Sequence, residues 1–274
     1  MSAAPFFIVS SGRSGTAMLH KALSSKPEVE MHHEYAVQIT QPLAVRRYLG
    51  LIGEDAARRT IDETFGAAIH HSRARLWGDS SNKLSWLIAD LALLFPEARF
   101  VHLVRDGRKV TSSYFHKLGA ENYDDRSNAI MQAHYDGQAC APPPEKPYWW
   151  PVPRRDDAMA EAFRNFDQFQ RICWHWAEIN RVILESLAAL PENRTLFARL
   201  EDLTRSPSQV RGLMNFLKLD YQDSDFAVFA RPHNVNCPQD RLLTPLQRAQ
   251  FEAIAAPLMA RLGYAERAEY TVQY

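Results

Sequence analysis

The run from Phe6 to Val9 constrains this chain more than any other feature. It is a short aromatic and β-branched segment, and Ser10-Ser11-Gly12-Arg13-Ser14-Gly15-Thr16 follows it without a spacer. Met18, Leu19, Ala22 and Leu23 then recur at helical spacing, and Pro27 lies just past the end. Strand, glycine-bearing loop and helix in immediate succession form the opening half of a βαβ unit. Parallel strands need such crossovers, so the fold must contain a covered parallel sheet.

The rest of the chain continues the alternation. Met31 to His33 reads as a second strand, and residues from about 41 to 76 read as helical with a polar-rich surface. Trp86 to Phe95 reads as a helix closed by Pro96, and Phe100 to Val104 is the clearest strand. Residues 159 to 190 are expected to be helical, Thr195 to Ala198 to be a strand, and Val210 to Leu217 and Leu246 to Leu262 to be helices. The expectation is an α/β fold, a central parallel β-sheet flanked by helices, with residues 1–274 as a single domain.

One stretch breaks the pattern. Cys140 to Arg155, CAPPPEKPYWWPVPRR, has too many prolines for a helix interior or a central strand. Residues 140–158 are either a lid or substrate loop walled by Trp149 and Trp150, or a stiff connection whose tryptophans pack on the core. With Pro143, Phe163 and Phe166, the tryptophans hint at an apolar pocket.

Composition limits the function. Thirty-two basic residues balance 32 acidic ones, so no long-range field recruits nucleic acid or an anionic membrane, and any anion site must be local. No apolar run reaches the roughly 20 residues of a membrane span, and no secretion signal opens the chain. A soluble cytoplasmic protein is expected, with no stable membrane insertion. Cys140, Cys173 and Cys237 have neither metal nor redox spacing, and His70-His71 and the other histidines have no zinc or iron pattern. No metal is expected.

Two segments have the make-up of anion sites. A loop that leaves a buried strand and opens a helix aims free backbone N–H groups and the positive end of the helix dipole at one point. Gly12 and Gly15 permit the turn, while Arg13, Ser14 and Thr16 add donors. It is not a Walker loop, because Thr16, not lysine, follows the second glycine. The second segment is FVHLVRDGRKVTSSYFHKL. Arg105 ends its strand, and Ser113 and Lys117 stand one turn apart on one face of the following helix.

The two segments together resemble the PAPS-dependent sulfotransferases, in particular the tyrosylprotein and carbohydrate branch, which carries Arg at the place of Arg13. PAPS is 3′-phosphoadenosine 5′-phosphosulfate. The resemblance runs from about residue 6 to 262 and implies a P-loop-NTPase-like three-layer fold. It implies that Arg13, Ser14, Gly15, Thr16 and Ala17 wrap the 5′-phosphosulfate. It also implies that Arg105 and, eight residues on, Ser113 grip the 3′-phosphate, with Lys117 as the branch's further basic residue. Arg199-Leu200-Glu201-Asp202-Leu203 is similar to a family segment with a structural role, Leu200 replacing a tyrosine.

Transfer of a sulfuryl group to a hydroxyl requires a general base. Glu34 falls where the tyrosylprotein enzymes carry a catalytic glutamate. His33, His32 and Glu30 compete, with His33 otherwise a substrate contact or a modulator of the base's pKa. Relatives often carry an Asp/Glu-Lys-Ser/Thr-Pro segment. Here Ser80 and Asn82 depart from it, leaving open whether Lys83 substitutes. The expected products are 3′-phosphoadenosine 5′-phosphate and a sulfated small-molecule, lipid or glycan acceptor. A nucleotide-dependent kinase and a non-catalytic nucleotide-binding module are the alternatives.

Overall fold

The computed structural model describes residues 2–119, 121–231 and 242–269. Its framework is a five-stranded sheet with every neighbouring pair parallel: β1 (Ala4–Val9), β2 (Val29–His33), β3 (Leu76–Ser80), β4 (Arg99–Val104) and β5 (Thr195–Arg199). The spatial order is β2-β3-β1-β4-β5. The chain winds from β1 to one edge and back, then crosses to the other side with β4. The crevice at the carboxyl end of β1 therefore lies between connections that depart in opposite directions, which is where open α/β sheets bind ligands.

The alternation in β1 divides the core. Phe7 and Val9 face one layer with Trp77, Phe100 and Trp176, while Phe6 and Ile8 face the other with Met18, Leu19, Val101 and Met214. All four β1 side chains are essentially fully buried. A strand covered on both faces must be apolar throughout, as Phe6 to Val9 is. Among the described residues no helix is long and apolar enough to cross a membrane.

Several sequence expectations hold within a few residues, including the helices Gly107–Lys117, Pro207–Phe216 and Pro245–Arg261. The region from 159 to 190 divides into Ala160–Phe163 and Gln168–Ala188. Asp167 caps the second helix by accepting from the Gln170 N–H.

The region from 41 to 76 needs correction. Its helices end at His71, and Leu76 begins a strand. LWGDS escapes a reading by pattern because glycine and aspartate are poor strand formers. Its place is tertiary: β3 lies between β2 and β1, and the Phe6 ring occupies the space that a Gly78 side chain would need. Cys140 is exposed and Cys173 buried, while Cys237 lies outside the described residues.

The Arg199-Leu200-Glu201 segment fastens the carboxyl edge. Buried Glu201 accepts the Asp106 N–H at 2.9 Å through Oε1 and the Tyr264 hydroxyl at 2.8 Å through Oε2. One carboxylate thus joins the exits of β4 and β5 to Tyr264, three residues past the helix Pro245–Arg261.

Two stability outcomes follow. Gly78→Ala drives a methyl group into the Phe6 ring and should cost about 1–3 kcal/mol, the usual range for overpacking. Glu201→Ala orphans two buried donors at about 1–3 kcal/mol each, so roughly 2–6 kcal/mol is expected, with a smaller loss for Glu201→Gln. Urea unfolding midpoints at constant m-value measure both; wild-type stability in either Ala variant would refute the corresponding packing argument.

Candidate active site

All five strand ends contribute to one region. Ser10 to Gly15 follow β1, Glu34 follows β2, Ser81 to Lys83 follow β3, Arg105 follows β4 and Leu200 follows β5.

The first loop is fixed from below. The Ser10 N–H donates to Ser85 Oγ at 3.0 Å, and that hydroxyl donates back to the Ser10 carbonyl. The Tyr114 hydroxyl donates to the Ser11 carbonyl at 2.9 Å. Gly12 (φ 79°), Arg13 (φ 52°) and Gly15 (φ 95°) all adopt left-handed backbone, which curls the loop into a concave nest. Both glycines are sterically required. A methyl at Gly12 would strike the Tyr114 hydroxyl, and one at Gly15 would lie 2.6 Å from Leu200 Cδ1. Gly15 caps the helix Thr16–Leu23, and the first intrahelical bonds run from Met18 and Leu19 to its carbonyl. The preceding N–H groups, including those of Thr16 and Ala17, have no intrahelical acceptor and crown the nest.

The second segment meets the first. Arg105 Nη1 donates to the Arg13 carbonyl at 3.1 Å, and Arg13 Nε donates to Ser113 Oγ at 3.1 Å. Asp106 caps the helix Gly107–Lys117 by accepting from the Arg108 N–H, and Lys117 is exposed in its last turn. Arg13, Arg105 and Ser113, far apart in sequence, therefore form one cluster of donors.

At the exit of β2, Glu34 (φ 57°) and Ala36 (φ 49°) are also left-handed. Two bonds hold this turn: the Glu34 N–H donates to the Ser80 carbonyl, and the Tyr35 N–H donates to buried Asp79 Oδ1. Burial pushes the Asp79 carboxyl up to about 6. Glu34 Oε1 receives Lys83 Nζ at 2.6 Å, and Oε2 receives Lys146 Nζ at 3.4 Å. Burial alone would raise the Glu34 pKa, but the two ammonium groups, Lys83 foremost, outweigh it and hold the carboxyl below its ordinary range. Burial pulls Lys83 down to about 8, against the upward pull of Glu34.

The competing residues are occupied elsewhere. His32 Nε2 lies 3.0 Å from Glu30 Oε1, its ring packs on Trp77 and Tyr35, and Ser72 donates to Glu30 Oε2. His33 is exposed beside Glu34, with Nδ1 2.9 Å from both the Ser80 carbonyl and its hydroxyl.

The proline-rich segment is not an open aromatic wall. Trp149 and Trp150 are buried, with their indole N–H groups donating to the Pro143 and Glu121 carbonyls. Phe163 is also buried. The reason is packing: Trp150 meets Tyr114, Tyr123 and His175 edge-on or tilted. What the segment does bring to the site is Lys146, which sequence reasoning missed. A lone lysine among prolines carries no periodic signal. Among the described residues no group of three or more His, Cys, Asp or Glu side chains is placed to hold a metal ion.

Comparison with known proteins gives the family and the fold. The model of the Sulfotransferase family matches residues 5–141, a span holding both anion segments and Glu34. A sulfotransferase from Alicyclobacillus acidocaldarius has a similar structure, with TM-score 0.56, 15% identity and 98% of each chain covered. The sulfotransferase domain from the curacin biosynthetic pathway superposes with TM-score 0.51 at 15% identity, covering 94% of this chain and 98% of its own. No curated protein matches in sequence. At such identities the structures speak for the fold alone, and the family match across half the chain carries the assignment. This chain belongs to the sulfotransferase family, enzymes that take their sulfuryl group from PAPS.

Proposed function

We propose that this enzyme transfers the sulfuryl group of PAPS in line to an acceptor hydroxyl, with Glu34 as general base. The observation that carries the reading is the contact chain Arg105–Arg13–Ser113, which brings two anion-binding segments to one crevice. Donor-only side chains and a left-handed nest suit an anion at each end of one nucleotide. PAPS supplies the electrophilic sulfur and leaves as 3′-phosphoadenosine 5′-phosphate.

In this reading Arg13 to Ala17 hold the 5′-phosphosulfate and stabilise charge building on the leaving oxygen. Arg105, Ser113 and Lys117 take the 3′-phosphate and fix the sulfur's position by holding the far end. Glu34 accepts the proton of the acceptor hydroxyl. Lys83, 5% exposed at its side chain, orients that carboxylate and keeps a positive charge beside the reacting group. It stands in, from three residues further on, for the lysine that Ser80 displaces. His33 is an acceptor contact. The kinase alternative gains nothing, since Thr16 occupies the place of a Walker lysine.

Calorimetry with 3′-phosphoadenosine 5′-phosphate tests the nucleotide half. Arg105→Ala should lose about 1.5–3 kcal/mol, roughly 10- to 100-fold in affinity. Glu34→Gln should bind the nucleotide normally while sulfate transfer falls about 10²- to 10⁴-fold. Normal turnover in Glu34→Gln, with transfer abolished in His33→Ala, would move the base to His33.

The pH profile of kcat/KM tests the Glu34–Lys83 pair. Glu34 must be ionised, so its acid limb should lie below the ordinary carboxylate range and activity should fall as pH drops through it. Lys83 must be charged, so activity should fall as pH rises past about 8. Lys83→Arg should move the alkaline limb upward, because a guanidinium keeps its charge there. An alkaline limb that ignores this substitution would remove Lys83 from the mechanism.

A further inference from the structure

The two cations on Glu34 are built differently. The Lys83 side chain is 5% exposed and 2.6 Å from the carboxylate; its backbone N–H is held by Ser81 Oγ. The Lys146 side chain is 44% exposed and stands 3.4 Å away. The root of Lys146 is nevertheless fixed. The Gln41 side-chain amide donates to the carbonyls of both Lys146 and Trp149, and the Trp149 indole N–H returns to the Pro143 carbonyl. Lys146 is a half-exposed charge on a hydrogen-bonded mount, set 3.4 Å from the candidate base by an element outside the loops after β1 and β4.

A carboxylate between two ammonium groups is a reluctant proton acceptor, because each positive charge stabilises the ionised form. Lys83 cannot withdraw without stranding a buried charge. Lys146 can, since an exposed lysine exchanges a weak ion pair for water at little cost. An anion on the incoming acceptor would draw Lys146 away from Glu34. That single move would dock the acceptor and free the base beside its hydroxyl.

We propose that Lys146 is the acceptor-recognising cation of this enzyme, and that the acceptor is an anionic alcohol or phenol. Its carboxylate, sulfate or phosphate group lies within a lysine's reach of the reacting hydroxyl. The inference rests on the sulfotransfer reading above and makes residues 140–158 a substrate loop. It also turns away from neutral lipids and plain aromatic alcohols, because the tryptophans that hinted at them are packed in the core.

The test uses the full chain saturated with 3′-phosphoadenosine 5′-phosphate. It is titrated by ligand-observed NMR with 4-hydroxyphenylacetate and with 4-hydroxyphenylacetamide, a phenol pair of nearly equal shape in which a neutral amide replaces the anionic carboxylate. Wild type should bind the carboxylate roughly tenfold more tightly, as expected for one charge-assisted hydrogen bond. Lys146→Gln should abolish that preference and Lys146→Arg should restore it, with nucleotide affinity the same in all three. Absence of a charge preference in wild type, or its survival in Lys146→Gln, overturns the inference while leaving sulfotransfer untouched. Failure of wild type to bind the nucleotide would bring down the sulfotransfer reading and this inference with it.

Discussion

Arg13 and Arg105 meet at one crevice, and gathered positive charge repels itself. The bond from Arg105 to the carbonyl of Arg13 resolves this conflict. It turns one guanidinium toward a backbone dipole of the other's own loop, so two cations stand close with an acceptor between them. Ser113 Oγ on Arg13 does the same from the helix side. The formal charge of the whole chain is zero, so the positive charge here is a local feature of the crevice and not part of a long-range field.

That bond needs both segments in register, and the sheet supplies it. β4 pairs with β1 along Phe6 to Val9, so Val9 ends beside His102 and β4 runs two residues further, to Val104, before the Arg105 turn. Behind them, Glu201 grips the first residue of the Asp106 turn, and Leu200 presses on Gly15. One two-residue step, Leu200-Glu201, therefore touches both the loop after β1 and the turn after β4. The family's tyrosine is missing at 200, but the contact on Gly15 needs only an apolar side chain of suitable reach.

The legible part of the chain was the part whose meaning is local. Phe6 to Val9 announced a doubly covered strand by being apolar throughout, and Gly12 and Gly15 announced a left-handed turn that β-bearing residues resist. The strand end at Arg105 and the helix carrying Ser113 were legible from pattern, while the pairing of the two came from the family resemblance. β3 was not, since Gly78 and Asp79 are there because Phe6 fills the neighbouring space and Tyr35 needs an acceptor. Lys83 and Lys146 lie 49 and 112 residues from Glu34, and no local pattern records that three such residues will meet. The tryptophans left two readings open for the same reason, and the one that packs them on the core holds. An aromatic pair in a proline-rich loop looks like a pocket wall until the core partners Tyr114, Tyr123 and His175 are brought to it.

The turn after β2 shows why these tertiary details matter for chemistry. Left-handed backbone at non-glycine residues costs about 1–2 kcal/mol each, and Glu34 and Ala36 both adopt it. The Ser80 carbonyl and Asp79 offset that cost by receiving the Glu34 and Tyr35 N–H groups. A relaxed turn would carry the Glu34 carboxylate away from Lys83 and leave an ammonium buried without its counter-charge. Strain and ion pair therefore support one another. The backbone is held in a costly conformation because the side chain it directs has a buried partner, and the partner stays charged because the backbone delivers that side chain.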